Sequence, residues 1–291
     1  MTYLLEQLAN GLAIGSVYAL IALGYSLVYS ILYLINFAHG YVIMVGAFAA
    51  LTLLGMEVPA PAAVLAACLV GAALGAAVER IAYRPVRAAN RVVPMVSALG
   101  AGLVLSSVAQ LIWGPEVHAF PQLAPRAMIG VLGLSLPSQS LVILVISFLL
   151  VAVASWFLYG TRLGLAAQCV CQDLEASRLM GIPVDTVIVA VYALGGFFGV
   201  AGGILFGMYF NAVFIQMGLL ATTKAWAAAM IGGVGNFHGA FLGGLILGVA
   251  ETLSVVVVGS AYRDGVSLLI IVVVLLLRPN GLFGSVTTER S

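Results

Sequence analysis

Charge is scarce in this chain. Only 7% of its 291 residues are Asp, Glu, Lys or Arg, and Lys224 is its single lysine. Soluble domains carry roughly 25% charge, so a soluble globular fold is excluded. The net charge of +1 leaves no basic surface for nucleic acid, which is excluded as a partner. Cysteine is equally sparse: Cys68 lies in an apolar run, and Cys169 and Cys171 in a polar loop. Three thiols so placed assemble neither a disulfide framework nor a four-ligand zinc site, and reduced thiols are expected. The three histidines, His39, His118 and His238, fall in no H-E-x-x-H pattern and beside no clustered carboxylates, so no metal site is expected. Paired intramembrane aspartates are missing too, because Asp173, Asp185 and Asp264 sit in or beside loops. A phosphate-binding loop needs Gly-x-x-x-x-Gly-Lys-Ser/Thr, whereas Lys224 stands in "TTKAW". The stretch "GVGNFHG", Gly233 to Gly239, has one residue too many for a dinucleotide fingerprint. Catalysis has no constellation to work with, and neither a cofactor nor ATP bound by this chain itself is expected.

What the chain does have is apolar length: 63% hydrophobic residues, a mean hydropathy of +1.20 and 34 glycines. A bilayer core about 30 Å thick takes roughly 20 apolar residues of helix. The runs 10–32, 61–78, 139–159, 186–210 and 240–258 come close to or exceed that length, and 37–54, 93–112, 221–236 and 264–278 are further candidates. The short alternating segments of a membrane barrel are absent. These features predict an all-α, polytopic transmembrane bundle over residues 1–291, a single domain embedded in lipid. The first run lacks the basic flank and short apolar stretch of a signal peptide, which predicts a retained span. Basic residues orient the rest. Arg80, Arg84, Arg87 and Arg91 crowd one short loop, which is therefore cytoplasmic. The proline-containing loop 114–138, with only Arg126, is expected outside. Segment 160–185 and the tail with Arg278 and Arg290 are expected inside, and the N-terminus outside. An even number of crossings must join those last two inner points. The Gly-rich stretch 221–236 then supplies a crossing, or two segments form a re-entrant pair. The count is nine, with eight and ten open.

Gly195, Gly199, Gly203 and Gly207 make one stripe, and Gly235, Gly239 and Gly243 repeat it. Small residues at this spacing let helices approach closely in lipid. For 231–240 a broken helix lining a cavity is the alternative. A weak echo, "NFAHG" (Asn36 to Gly40) and "NFHG" (Asn236 to Gly239), hints at repeated halves. Polar groups at membrane depth are costly, so Asn36, His39, Lys224, Asn236 and Glu251 are candidates for a translocation path. The competing reading has Lys224 snorkelling to an interface, Glu251 paired with a neighbouring helix and the histidines packed.

In "CQDLEASRLMGIPVD", Asp173 suits a helix N-terminus, and Gly181 followed by Pro183 is a stop signal. Glu175-Ala176-Ser177, then Gly181, resembles the E-A-A-x-x-x-G loop of ABC importer permeases. "NGLAIGSVYALIALGYSLVYSILYLINFAHG", "ERIAYRPVR", "GAFLGGLILGVAE" and "RPNGLFG" extend the resemblance from about Asn10 to Gly284, to permeases of branched-chain amino acid importers. The resemblance implies a cytoplasmic coupling helix within about 160–185, using Arg162, Asp173, Glu175, Ala176, Ser177, Arg178 and Gly181. It also implies two separate ATPase subunits that use the ATP, a second permease subunit (related or identical), an extracytoplasmic binding protein meeting loop 114–138, and a bacterial or archaeal plasma membrane. The chain departs from the family pattern at Tyr41, where an acidic residue is common, and at Leu165 and Gln168, where basic ones are. Permeases of the same fold for urea or short amides, and a self-sufficient secondary transporter or channel using Lys224 or Glu251, are the competing functions.

Overall fold

The computed structural model describes residues 2–90, 92–123, 127–131, 134–278 and 281–283. Arg91, Arg126 and Arg290, used above to orient the chain or to place its contacts, lie outside the described residues, as do Pro279, Asn280 and Gly284 of the last family motif.

The apolar runs form helices α1 (Thr2–Leu32), α2 (His39–Gly55), α3 (Ala60–Val78, continued by a π-turn over Glu79–Tyr83), α4 (Val92–Trp113) and α5 (Ser138–Gly160). After two short helices, α6 (Arg162–Gln172) and α7 (Leu174–Leu179), come α8 (Val184–Phe210), α9 (Met217–Gly232), α10 (Phe237–Val258) and α11 (Arg263–Leu277). Local chemistry sets several of the starts. Pro59, Pro137 and Pro183 precede α3, α5 and α8, where a missing N–H costs nothing. The side chains of Thr161, Asp173 and Asn236 cap α6, α7 and α10. The described residues also hold four short strands: β1 (His118–Ala119), β2 (Met128–Val131), β3 (Leu134–Pro137) and β4 (Ala212–Val213). β2 and β3 form a hairpin within the loop before α5. β1 pairs antiparallel with β4, tying that loop to the end of α8.

Seven described helices are long and apolar enough to cross a bilayer, α11 qualifying together with the 3-10 turn Ser260–Tyr262 before it. The two shorter ones, α2 with 17 residues and α9 with 16, have a common cause. α1 ends at Leu32 and Tyr33 turns back in the left-handed region (φ 52°). The chain then runs without regular structure and mostly buried until His39 lies beside Gly24, well inside α1. α8 ends the same way: Asn211 is left-handed (φ 53°), and 212–216 is a partly buried return, with Val213 and Ile215 buried, leading into α9. Irregular backbone at this depth is tolerated only when protein surrounds it.

This likeness extends to the packing. α1 lies against α8 and α10, and α8 lies against α1 and α3. α2 and α9 each touch the other and the long helix of the opposite half. Along their contact, Gly24 of α1 meets Gly195 and Gly199 of α8, while Ile21 meets Gly202, so the two helices run antiparallel. Helices α1–α2–α3 and α8–α9–α10 therefore form an inverted repeat, an architecture common to transporters. The expectation of repeated halves holds, but the echo that suggested it is misplaced. "NFAHG" opens α2, whereas "NFHG" opens α10, which is the counterpart of α3. The stretch 231–240 is likewise no broken helix. Gly233 (φ 103°) and Gly235 (φ 85°) make a tight turn between α9 and α10, and the irregular backbone sits instead at 33–38 and 211–216.

Glycine packing is as expected for Gly195, Gly199 and Gly203, which lie against Gly24, His39 and Ile43. Among the tightest points is the contact of Gly40 with Gly218 at the starts of α2 and α9. A Cβ on either residue would overlap the other's carbonyl. Gly40→Val is expected to lower the thermal unfolding midpoint by the equivalent of about 1–3 kcal/mol or more. Gly100→Ala, where an added Cβ meets nothing, should leave that midpoint unchanged; equal midpoints for both variants would contradict the packing.

Candidate functional site

The segment joining α5 to α8 leaves the bundle as two short helices. Thr161 Oγ1 accepts the Gly164 N–H at 3.1 Å and starts α6. Asp173 Oδ1 accepts the N–H groups of Glu175 and Ala176, both at 2.9 Å, and starts α7. Ser177 turns inward, is buried and donates to the Asp173 carbonyl at 2.7 Å. The helix stops at Gly181, whose φ of 79° few other residues adopt easily. Its N–H donates to the Arg178 carbonyl, and that of Ile182 to the Ser177 carbonyl, each at 3.0 Å, a closing turn of the kind glycine favours. Glu175, Ala176 and Arg178 face solvent, as does Arg162 at the start of α6. At the tip stand Leu179 and Met180, 89% and 83% exposed. In a chain this apolar, no sequence signal sets these two side chains apart.

The base of this arm is clamped. Asp185, in the first turn of α8, receives Arg84 at 3.3 Å and Arg87. Arg87 also lies 3.6 Å from the buried carboxylate of Glu79. The Tyr33 hydroxyl donates to the Cys171 carbonyl at 3.4 Å. The arginine loop, the end of α1 and the α6–α7 arm therefore share one end of the bundle, as the distribution of basic residues predicts. In the sequence the arginines orient the chain, but nothing local joins them to Asp185, about a hundred residues away.

The five path candidates separate into distinct places. Asn36 is buried and its Oδ1 accepts the Ala38 N–H at 3.1 Å, stabilising the return before α2. His39 is buried between Gly24 and Gly199, edge-on to Tyr25 at 6.1 Å, and among the described residues its Nε2 has no hydrogen-bond partner. Asn236 caps α10, accepting from Gly239 at 3.1 Å and donating to the Phe283 carbonyl at 2.9 Å. Lys224 and Glu251 belong to a charge network towards the other end of the bundle. Glu251, 1% exposed, accepts from Lys224 Nζ (2.9 Å), Ser267 (2.9 Å), Tyr18 (3.0 Å) and Arg263. Lys224 Nζ also lies 2.7 Å from Asp264 and donates to Ser267 at 2.8 Å. Two positive and two negative side chains thus tie α9, α10 and α11 together, with Tyr18 adding α1. Arg263 and Asp264, which close the network, sit at the start of α11; in the sequence Asp264 lies in or beside a loop.

A cavity of about 910 Å³ opens at the arm end, between α1, α5, α6, α8 and the α9–α10 turn. Asn236 lines it; Asn36, His39, Lys224 and Glu251 do not. Cys171 lies on its wall, 3.4 Å from Ser30 Oγ, and burial holds its thiol above the ordinary cysteine pKa. Among the described residues no group of three or more His, Cys, Asp or Glu could hold a metal.

Comparison with known proteins adds independent findings. Residues 7–275 match the family model described as the permease component of the branched-chain amino acid transport system. The chain is 38% identical to the high-affinity branched-chain amino acid transport system permease protein BraD of Pseudomonas aeruginosa, over 98% of this chain and 97% of that one. It is 35% identical to the corresponding LivH of Escherichia coli K12, over 99% and 98%. The ribose import permease protein RbsC of Escherichia coli K12 is 29% identical over 94% and 86%. No solved structure matches.

Proposed function

The chain belongs to the permease family of branched-chain amino acid transport systems, and from that premise we propose that it is the membrane-spanning subunit of an ABC importer for aliphatic amino acids. It is a multi-pass membrane permease rather than an enzyme. The observation that carries the finer reading is the arm. A capped six-residue helix, ending on two exposed apolar side chains and leading into α8, whose first turn is clamped to the loop after α3 by an arginine–aspartate pair, is built to receive a push from outside the bilayer. Two ATPase subunits supply that push. α7 seats on one of them, and Asp185 with Arg84 and Arg87 passes the movement to α8 and α3. A second permease subunit completes the transporter, and an extracytoplasmic binding protein delivers substrate to the loop between α4 and α5.

The arm end is then cytoplasmic. With α2 and α9 counted as crossings begun by irregular segments, the chain crosses nine times, with its N-terminus outside and C-terminus inside the bacterial or archaeal plasma membrane. The substrate follows from the closer relatives, BraD and LivH, against the more distant ribose permease. The ion-coupled alternative loses support because Lys224 and Glu251 are each held by several partners.

The test is uptake of labelled L-leucine into proteoliposomes holding this chain with the subunits that purify with it, supplied with ATP and the binding protein. ATP-dependent accumulation is expected, and it should vanish when the ATPase is omitted. A chain that purifies alone and accumulates leucine down an ion gradient would overturn the ABC assignment.

A further inference from the structure

The last two turns of α1 carry three hydroxyl groups, Ser26, Tyr29 and Ser30, at positions i, i+3 and i+4, and Tyr33 follows directly after the helix. That spacing places the three on one face of the helix, and all four residues line the 910 Å³ cavity at the arm end. The same helix is otherwise an apolar core element, with residues such as Leu20, Ile21 and Leu23 wholly buried. Two of the four have partners within the protein, Tyr33 donating to the Cys171 carbonyl and Ser30 to the Leu27 carbonyl. The opposite walls supply amides from Gln168 and Gln172 of α6, and an apolar surface from Leu158, Met230, Val234 and Phe237. Every described lining residue is uncharged. Among the described residues no hydrogen bond engages the side chains of Ser26, Tyr29 or Gln172, so donors and acceptors stand open to whatever enters.

We propose that this cavity, inside a single subunit, is a binding site for the aliphatic amino acid in its zwitterionic form. Hydroxyl and amide groups both donate and accept. They can therefore hold an ammonium and a carboxylate together without a fixed charge that would favour one pole, and the apolar wall takes the side chain. An anionic or cationic amino acid finds no counter-charge there. The volume lies within the range of small-molecule pockets and exceeds one aliphatic amino acid, so the ligand binds with water. The site deepens the transport reading and rests on it for its choice of ligand. It differs from a path between two permease subunits in needing no second copy. One wall is α6, whose final residue adjoins the Asp173 cap of α7, so the occupied site touches the arm that takes the push.

Cys171 on the wall is a native reporter. In inside-out membrane vesicles holding the assembled transporter with Cys169→Ser, alkylation of Cys171 by N-ethylmaleimide is followed with and without L-leucine. Leucine at about ten times its Kd is expected to slow labelling about tenfold; L-aspartate should not. Ser26→Trp, which fills the cavity, should remove the protection. Gln172→Ala, nearer the surface and harmless to folding, should weaken it. Unchanged labelling in vesicles that still transport leucine overturns the site and leaves the transport reading intact. Protection by D-ribose in place of L-leucine overturns the amino-acid assignment. Vesicles that never transport leucine refute the transport reading, whereas protection by leucine in those vesicles still upholds the site.

Discussion

Glu251→Ala is expected to destabilise the protein by about 3–5 kcal/mol, the usual result of removing one partner from a buried ion pair. The carboxylate accepts from Tyr18, Lys224, Arg263 and Ser267, and so holds four helices at one point. Its loss leaves Lys224, only 7% exposed, with Asp264 as the remaining carboxylate, and that residue's side chain is 72% exposed. Arg263 is less affected, since it is partly exposed and lies over the Phe210 ring at 5.3 Å, a cation–π contact. Glu251→Gln keeps an acceptor for Tyr18 and Ser267 but removes the charge, and should fall between wild type and alanine. The double variant Lys224→Met, Glu251→Leu removes both buried charges, and should recover most of the stability lost by Glu251→Ala. Unfolding midpoints in detergent read all three variants. Leucine uptake by the double variant then separates two roles. A structural staple predicts transport near wild type. A stable double variant with no uptake would make the network part of the transport path.

The sequence disclosed those elements whose chemistry is local. Long apolar runs became helices because a bilayer-length helix satisfies its own backbone. Asp173, Gly181 and Pro183 marked the arm because caps and stops act over three or four residues. The two returns escaped notice for the opposite reason. "LINFA" and the stretch after Asn211 are short apolar segments, and composition alone does not separate buried irregular chain from helix. What fixes them is tertiary: a left-handed residue at Tyr33 or Asn211, and surrounding helices close enough to cover the bare backbone. The inverted repeat is a property of packing rather than of residue identity. Gly40 and Gly218 meet because both halves need a side-chain-free point there, while His39 and Met217 beside them differ. At the candidate site, single polar residues stood out but their partners did not. Lys224 and Glu251 stand out as costly charges, whereas Asp264, at the mouth of α11, falls in or beside a loop and Arg263 next to it carries no motif. The hydroxyls of α1 are present as i, i+4 spacing, but serine and tyrosine are common in membrane helices, and only the cavity beside them distinguishes these.

Leu179→Glu combined with Met180→Glu is expected to abolish ATP-driven uptake while leaving the subunit folded. Both side chains already stand in water, so the exchange removes no packing from the isolated chain. Its whole effect should fall on the partner. Loss of a buried apolar anchor from an interface costs about 2 kcal/mol or more, roughly thirtyfold in affinity, and here two neighbouring anchors become charges that must be desolvated to dock. Glu175→Arg and Arg178→Glu, on the same exposed surface, should act less strongly and more so at low salt, as rim charges do. Gly181→Pro attacks the same contact from behind. Proline fixes φ near −65° where the chain needs 79°, and it removes the N–H that donates to Arg178. The last turn of α7 would open and carry Leu179 and Met180 out of place, while α8 keeps its start at Pro183. Three readouts separate the cases: unfolding midpoint, recovery of the ATPase with the purified subunit, and uptake. An unchanged midpoint with ATPase and uptake both lost is the expected pattern for the double glutamate variant. Normal uptake by that variant would show that the apolar tip is not the seat of coupling, and would return the role to the charges of Glu175 and Arg178. For Gly181→Pro the ATPase should be retained in part and uptake lost, because a loosened arm still touches its partner but no longer transmits force to Asp185 and α8.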